Sequence, residues 1–362
     1  MTMPGAGLLL DWRDRLLSNS GFQRWSARFP LTRGVARREA RALFDICAGF
    51  TYSQVLAACL ELDLFDRVAA GPVRLDALAL FCEVPEPAMR MLVEAAASLR
   101  LLKVCKGAVR LGALGAALRG NPGIAAMVAH HRLFYADIAD PVALLRGKVE
   151  TRLAGFWPYG GGAGEASSYS ALMAATQPMI ANEILDAYDV SRHPVILDIG
   201  GGDGSFLRRV AVKAKTARLQ LFDLPEVASV AESRFSQAGL AERATVFSGD
   251  FTRDSLPKGA SLVTLVRVLH DHNDEKVSHL LRVIRAALPA GGVVLVAEPF
   301  AGTPGAQPVG AAYFGFYLQA MGSGRARRAG EIEELLIKAG FSRVRHLRTG
   351  QPMLTGLIMA VV

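Results

Sequence analysis

The stretch Val195–Val210, VILDIGGGDGSFLRRV, leaves this chain few folds to choose from. An apolar run ends in Asp198-Ile199, glycines follow at 200, 201, 202 and 204, and a helical pattern opens at Ser205. A strand that turns on glycines into a helix is the opening unit of a doubly wound α/β sheet, which binds ligands beyond the carboxyl ends of its strands. The glycines permit positive φ and let a ligand approach the backbone closely. Further strands are expected at Leu219–Leu224, Ala244–Gly249, Ser261–Leu269 and Val293–Ala297, with helical patterns between them. Two late segments, Arg343–Leu347 and Leu354–Val362, lie too close together for a helical crossover and are expected to pair antiparallel.

The loop does not have dinucleotide spacing. Gly200-x-Gly202 is followed by Gly204, one residue too early for GxGxxG. Asp198 and Asp203 flank the turn, where they would repel a pyrophosphate and suit a cationic ligand such as S-adenosylmethionine (AdoMet). Asp223, 21 residues after Gly202, ends the second strand in LFDLPEV beside Leu224, and a carboxylate there accepts from ribose hydroxyls. Asp250-Phe251 end the third strand, placed for an adenine amino group and ring. Five parallel strands with an antiparallel closing pair complete a Rossmann-like sheet of the class I methyltransferase layout.

At 362 residues the chain is long enough for two domains. The division is expected at 166/167, after the glycine-rich run Gly160–Gly164. In the first part, VRLDALALFCEVPEPAMRMLVEAAASLRLLKVCKGAVRLG reads as helix, turn, helix and hairpin. That is a winged-helix pattern in a largely all-helical domain. Its second helix balances Arg90 and Arg100 against Glu86 and Glu94 among apolar residues. This suits packing and homodimerisation, not nucleic acid. The four cysteines form no CxxC pair and read as reduced core residues of a cytoplasmic protein. No signal peptide or spanning helix is expected. Net charge is +8, and residues 1–41 hold eight arginines against three acids. Trp12, Phe22 and Trp25 are interleaved among these arginines, so peripheral contact with an anionic membrane stands beside a plain solvated arm.

A second motif, RVLHDHNDE, puts two histidines and two aspartates after a buried-looking strand. A metal site needs three or four converging ligands, and the other histidines form no supporting pattern, so no metal is expected. His272 to Asp274 read as a loop and helix start, with Asn273 or Asp274 as its cap. His270 is placed at the end of the fourth strand and Glu298 at the end of the neighbouring fifth. A carboxylate beside an imidazole fixes its tautomer and stabilises its protonated form, so His270 can serve as a general base. Asp271 is an alternative orienter.

LDIGGGDG, FDLPEV, GDF, RVLHDHND, AEPF and KAGF follow in order with the spacing of small-molecule O-methyltransferases of the plant and bacterial caffeate/acetylserotonin type. The resemblance covers essentially the whole chain. The stretches FQRWSARFPLTRGVARREARALFDICAGFTYSQVL, NPGIAAMVAHH, ADPVALLRG and AMGSGRARRAGEIEELL resemble the carotenoid hydroxyl O-methyltransferases of purple photosynthetic bacteria. The resemblance implies an N-terminal dimerisation domain, AdoMet contacts at Gly200, Asp223, Asp250 and Phe251, the base at His270 and its orienter at Glu298. Gly202, Asp198 and Leu224 join the candidate cofactor residues. The chain departs from the plant pattern in three places. His272 stands for a Trp, Val266 with neighbouring Arg267 for a Lys, and Ala326 for a second glutamate. Arg267 is therefore expected to support the cofactor side.

Two stretches are almost free of charge, 153–182 and Pro299–Gly324. Tyr313, Phe316 and Tyr317, with Phe156, Trp157, Tyr169 and Met173 opposite, are expected to line a pocket for a lipophilic acceptor. The function expected is methyl transfer from AdoMet to the tertiary hydroxyl of a linear carotenoid. An aromatic polyketide or phenolic acceptor, or an AdoMet-sensing winged-helix regulator, are the alternatives.

Overall fold

A computed structural model describes the backbone of residues 4–156 and 166–362, and the side chains of 10–156 and 172–362. The expected linker Gly160–Gly164 and the pocket residues Trp157 and Tyr169 lie outside the described side chains. The chain divides into two compact units, Met1–Arg119 and Gly120–Val362. This is earlier than the expected 166/167. The helix Pro122–Asp137 packs along the helix Ala166–Ala187, and Arg152–Phe156 packs on Phe314–Met321. Gly123 lets the first pair approach closely; a Cβ there would sit 2.6 Å from the Ala175 carbonyl oxygen. Residues 120–156 thus belong with the second unit.

The first unit begins with helices Pro4–Ser18 and Ser20–Ser26, then a turn around Pro30 and the long helix Arg33–Glu61. By length and composition alone, this helix contains a window apolar enough to cross a membrane. Helices Leu75–Phe81 and Glu86–Ser98 follow, with strands β1 (Val73–Arg74), β2 (Leu102–Cys105) and β3 (Ala108–Leu111) in the order β1-β3-β2. The winged-helix pattern is present, but the unit is not all helix, because β1 adds an antiparallel edge to the hairpin. Leu43, Phe44, Ile46, Phe50, Leu80 and Phe81 leave a broad apolar surface exposed.

The second unit holds β4 (Val195–Ile199), β5 (Arg218–Asp223), β6 (Ala244–Ser248), β7 (Leu262–Val266), β8 (Val293–Glu298), β9 (Ser342–Leu347) and β10 (Gly356–Val361). Their order is β6-β5-β4-β7-β8-β10-β9. The first five are parallel, and β10 pairs antiparallel with both β8 and β9, as the sequence spacing requires. β7 and β8 are buried along their whole length, which their unbroken apolar runs dictate for a sheet covered on both faces. Strand order reverses at β4, between β5 and β7, so the crevice opens where β4 feeds the glycine loop.

Candidate active site

Gly200, Gly202 and Gly204 all have positive φ. The loop is held from below: a Cβ on Gly200 would strike Val268 at 2.8 Å, whereas one on Gly202 would meet nothing within 4 Å. Two adjoining pockets share Gly200, Asp223 and Leu224. One runs toward Met173, Gln177, Arg267 and Asp271. The other runs over Asp250, Phe251, His272 and Lys276. Together they form an elongated crevice across the ends of β4, β5 and β6.

Asp223 braces the loop, its carboxylate accepting from the Gly202 N–H at 2.8 Å and the Leu224 N–H at 2.8 Å. Burial raises it to about 6, opposed by those two donors. Asp223→Ala therefore loses a loop brace and a pocket wall together. The expected result is at least a tenfold loss of AdoMet affinity, about 1.4 kcal/mol; unchanged affinity by calorimetry would remove Asp223 from the binding set.

Asp198 is corrected: it lies beneath the loop and lines neither pocket. Leu197 and Ile199 point into one core cluster, and alternation turns Asp198 to the opposite face. Register sets it opposite Thr264 on β7, whose hydroxyl donates to it at 2.5 Å. Burial raises its carboxyl to about 7. Asp203 is likewise engaged within the protein, by Arg234 and by the Ser205 hydroxyl. Asp250 accepts from the Thr252 N–H at 2.8 Å and hydroxyl at 2.7 Å.

The loop after β7 departs from expectation. The strand ends at Val266, Arg267 adopts φ 58°, and His270 sits in a short 3-10 turn, Leu269–Asp271. Left-handed backbone is costly for an arginine and is held here by its surroundings. The Arg267 N–H donates to the Ala297 carbonyl, and its guanidinium donates to Thr176 at 2.8 Å and Gln177 at 2.7 Å. Glu298, at the end of β8, organises the turn. One carboxylate oxygen accepts from the Val268 N–H at 2.9 Å and the Leu269 N–H at 2.7 Å, and the other meets His270 Nδ1. Asp271 Oδ1 stands 3.1 Å from His270 Nε2. Glu298 and Asp271 thus flank the ring, one at each nitrogen.

Burial alone would lower the His270 pKa, but Asp271 and Glu298 outweigh it and raise the imidazole to about 9. Burial raises Asp271 to about 7. The segment after Met321 clamps this turn from outside. The Arg325 N–H donates to the His270 carbonyl, and Gly324 packs so tightly that a Cβ would lie 2.0 Å from that oxygen. Buried Arg327 donates to the Leu269 and His272 carbonyls. Asn273 caps the helix Asp274–Ala287 through the Lys276 N–H, as expected. His272 does more than lead into that cap. It is buried, lines the Phe251 pocket and meets that ring edge-on at 5.2 Å. Burial lowers it to about 4.

Beside His270, Phe314 makes an edge contact at 5.8 Å between ring centroids. Tyr313, Phe316 and Tyr317 gather with Phe134, Leu144, Leu153 and Met321 in one apolar cluster. Phe156 packs 4.6 Å from the His130 ring. Met173, expected among these residues, instead lines the glycine-loop pocket. His130 and His131, which the sequence places in no metal-binding pattern, have partners here. His130 Nε2 lies 2.7 Å from the Tyr317 hydroxyl, and His131 Nε2 lies 2.9 Å from that of Tyr313. Consecutive histidines in an apolar helix were the available signal. Among the described residues, no group of three or more His, Cys, Asp or Glu side chains is arranged to hold a metal ion.

Comparison with known proteins matches residues 135–342 to the O-methyltransferase domain and 44–118 to the O-methyltransferase dimerisation domain. Demethylspheroidene O-methyltransferase of Cereibacter sphaeroides is 44% identical over 356 residues, 96% of this chain and 93% of that protein. Acetylserotonin O-methyltransferase of Mus musculus is 32% identical, covering 87% of each chain. The crystal structure of human N-acetylserotonin methyltransferase in complex with SAM superposes with a TM-score of 0.74 at 27% identity, covering 89% of this chain and 97% of that one.

Proposed function

The chain belongs to the O-methyltransferase family that carries its own dimerisation domain, and on that premise we propose that its acceptor is the tertiary 1-hydroxyl of a linear carotenoid of the demethylspheroidene or hydroxyneurosporene type. The protein is an AdoMet-dependent O-methyltransferase that acts on a small molecule, and its dimerisation domain supports a homodimer. The acceptor reading rests on one observation: beside His270, Phe314 at 5.8 Å leads into a cluster of aromatic and aliphatic side chains among the described residues. The bacterial relative's name supports the same acceptor class.

AdoMet supplies a methyl group on a sulfonium sulfur. Asp250, Phe251 and His272 would hold its purine end, and Gln177 and Arg267 its amino-acid end. In the neutral ring Glu298 would hold the proton on Nδ1 and leave the lone pair on Nε2, the nitrogen that Asp271 Oδ1 approaches at 3.1 Å. AdoMet would supply the electrophilic methyl carbon, and Nε2 of the neutral ring would accept the proton of the acceptor hydroxyl.

The test is methyl-labelled AdoMet offered with hydroxylated linear carotenoids and with phenolic and indole hydroxyls. Label should enter the carotenoid. Exclusive labelling of a phenol or indole would favour the acceptor class of the acetylserotonin relative.

We further propose that the enzyme meets its acceptor at a membrane surface through residues 10–41, as a peripheral cytoplasmic protein. Trp12, Trp25 and Leu31 are 63%, 51% and 84% exposed among the arginines of this arm. Basic residues beside exposed aromatics attract anionic lipid. Flotation with phosphatidylglycerol vesicles should carry the protein, and added salt should release it. Equal partitioning onto neutral phosphatidylcholine, or none onto either, would reject the arm as a lipid contact.

A further inference from the structure

The two histidine–tyrosine pairs have an arrangement that packing alone does not require. His130 and His131 are neighbours on Pro122–Asp137, and they reach tyrosines four residues apart on the facing helix. That helix opens with a π-helical turn, Val309–Tyr313, in which the Phe314 N–H donates to the Val309 carbonyl five residues back. Such turns concentrate at functional sites, because the extra residue re-aims the side chains that follow. Here Tyr313 and Phe314 meet edge-on at 5.0 Å, Phe314 reaches His270, and Tyr313 stacks on Tyr317 at 5.9 Å. The row of rings leads away from the candidate base.

Both imidazoles are neutral at ordinary pH. Burial and the neighbouring His131 lower His130 to about 4, and burial lowers His131 as well. Burial also raises the two phenols, keeping them protonated. Each pair is therefore an uncharged donor and acceptor satisfying one another. Asp137, the buried carboxylate nearby, is engaged by the Arg152 and Leu153 N–H groups, which fixes the short helix that brings Phe156 onto His130. A buried hydroxyl without a partner would recruit one from an incoming acceptor. With both hydroxyls engaged, neither is left as an unsatisfied group that would recruit a polar acceptor.

We propose that His130 and His131 are specificity-determining residues: by engaging the hydroxyls of Tyr317 and Tyr313 they keep the wall beside His270 apolar, and so favour a long conjugated hydrocarbon over a small polar aromatic. This rests on the lipophilic-acceptor reading. Neither histidine touches the reacting atoms; each acts through its tyrosine.

The experiment compares kcat/KM for a 1-hydroxycarotenoid with kcat/KM for N-acetylserotonin, with AdoMet affinity by calorimetry as the check on folding. In His130→Leu, Tyr317 is left unpaired, and the ratio should fall by roughly tenfold or more, the size of selectivity that one pocket contact supplies. The change should lie in KM for the acceptors. Adding Tyr317→Phe removes the orphan and should restore most of the ratio. His131→Leu with and without Tyr313→Phe reads the same comparison at the second pair, and serves if the first variants lose AdoMet binding. A purely structural role would lower both acceptors equally in the single variants, with no recovery in the doubles; that outcome overturns the inference. A wild-type enzyme that prefers the indole overturns the acceptor reading and this inference together. A wild type that prefers the carotenoid, with an unchanged ratio in the single variants, overturns this inference alone.

Discussion

His270→Ala should lower kcat by about 10²–10⁴, the range that a positioned general base supplies. AdoMet affinity should stay within a few-fold of wild type, because His270 lines neither cofactor pocket. The alanine also leaves Glu298 and Asp271 without the imidazole between them, and removing one partner of a buried ion pair costs about 3–5 kcal/mol. His270→Gln separates the two effects. It can still donate to Glu298 but cannot take up a proton, so it should keep more stability and remain as slow. Wild-type turnover in a folded His270→Gln enzyme would end the general-base assignment. The pH dependence follows from the same residues. Burial lowers the imidazole, but Asp271 and Glu298 raise it further, to about 9. The folded value therefore exceeds the unfolded one of about 6.5. Stability from this charge is fully present below the unfolded value and is lost as pH rises through the folded one. Turnover should move the opposite way and climb over that interval as the base form accumulates. Denaturation and rate profiles that rise together would contradict the assignment.

How much of this was legible depends on where the governing forces lie. The central strands β4, β7 and β8 were readable because their apolar runs of five or six residues have few alternatives, and β9 and β10 because they lie too close together for a helical crossover. Glu298 was readable because it ends such a run beside the strand that leads to His270. The loop itself was not. Nothing in an arginine announces a left-handed φ, and Arg267 is held there by partners about 90 residues away. Asp198 looked like a ligand because the turn was visible and the cross-strand register was not. The boundary at 119/120 was missed because helices 122–137 and 152–156 carry no mark of the partners they pack on. His130 and His131 stayed unassigned for a similar reason: their hydroxyl partners lie 187 and 182 residues on.

Glu298 tests whether tautomer control, and not charge alone, makes His270 a base. Its carboxylate has two separable duties, one oxygen for the Val268 and Leu269 N–H groups and one for His270 Nδ1. In Glu298→Gln the amide oxygen can keep the two backbone donors, which turns the amide nitrogen toward the imidazole. Nδ1 must then accept, the ring proton moves to Nε2, and the lone pair needed for the acceptor hydroxyl is gone. A comparable carboxylate-to-amide exchange behind a catalytic histidine costs about 10⁴ in kcat, so a loss of about 10³–10⁴ is expected here. The Gln variant should unfold close to wild type at pH values where His270 is neutral. Glu298→Ala loses both duties. Two buried N–H groups are orphaned at about 1–3 kcal/mol each, so this variant should be slow and also clearly less stable. Nitrogen chemical shifts of His270 should report Nδ1–H in the neutral wild-type ring and Nε2–H in Glu298→Gln. If the Gln variant keeps the wild-type tautomer and still loses activity, the orienting role is wrong and the carboxylate acts through its charge.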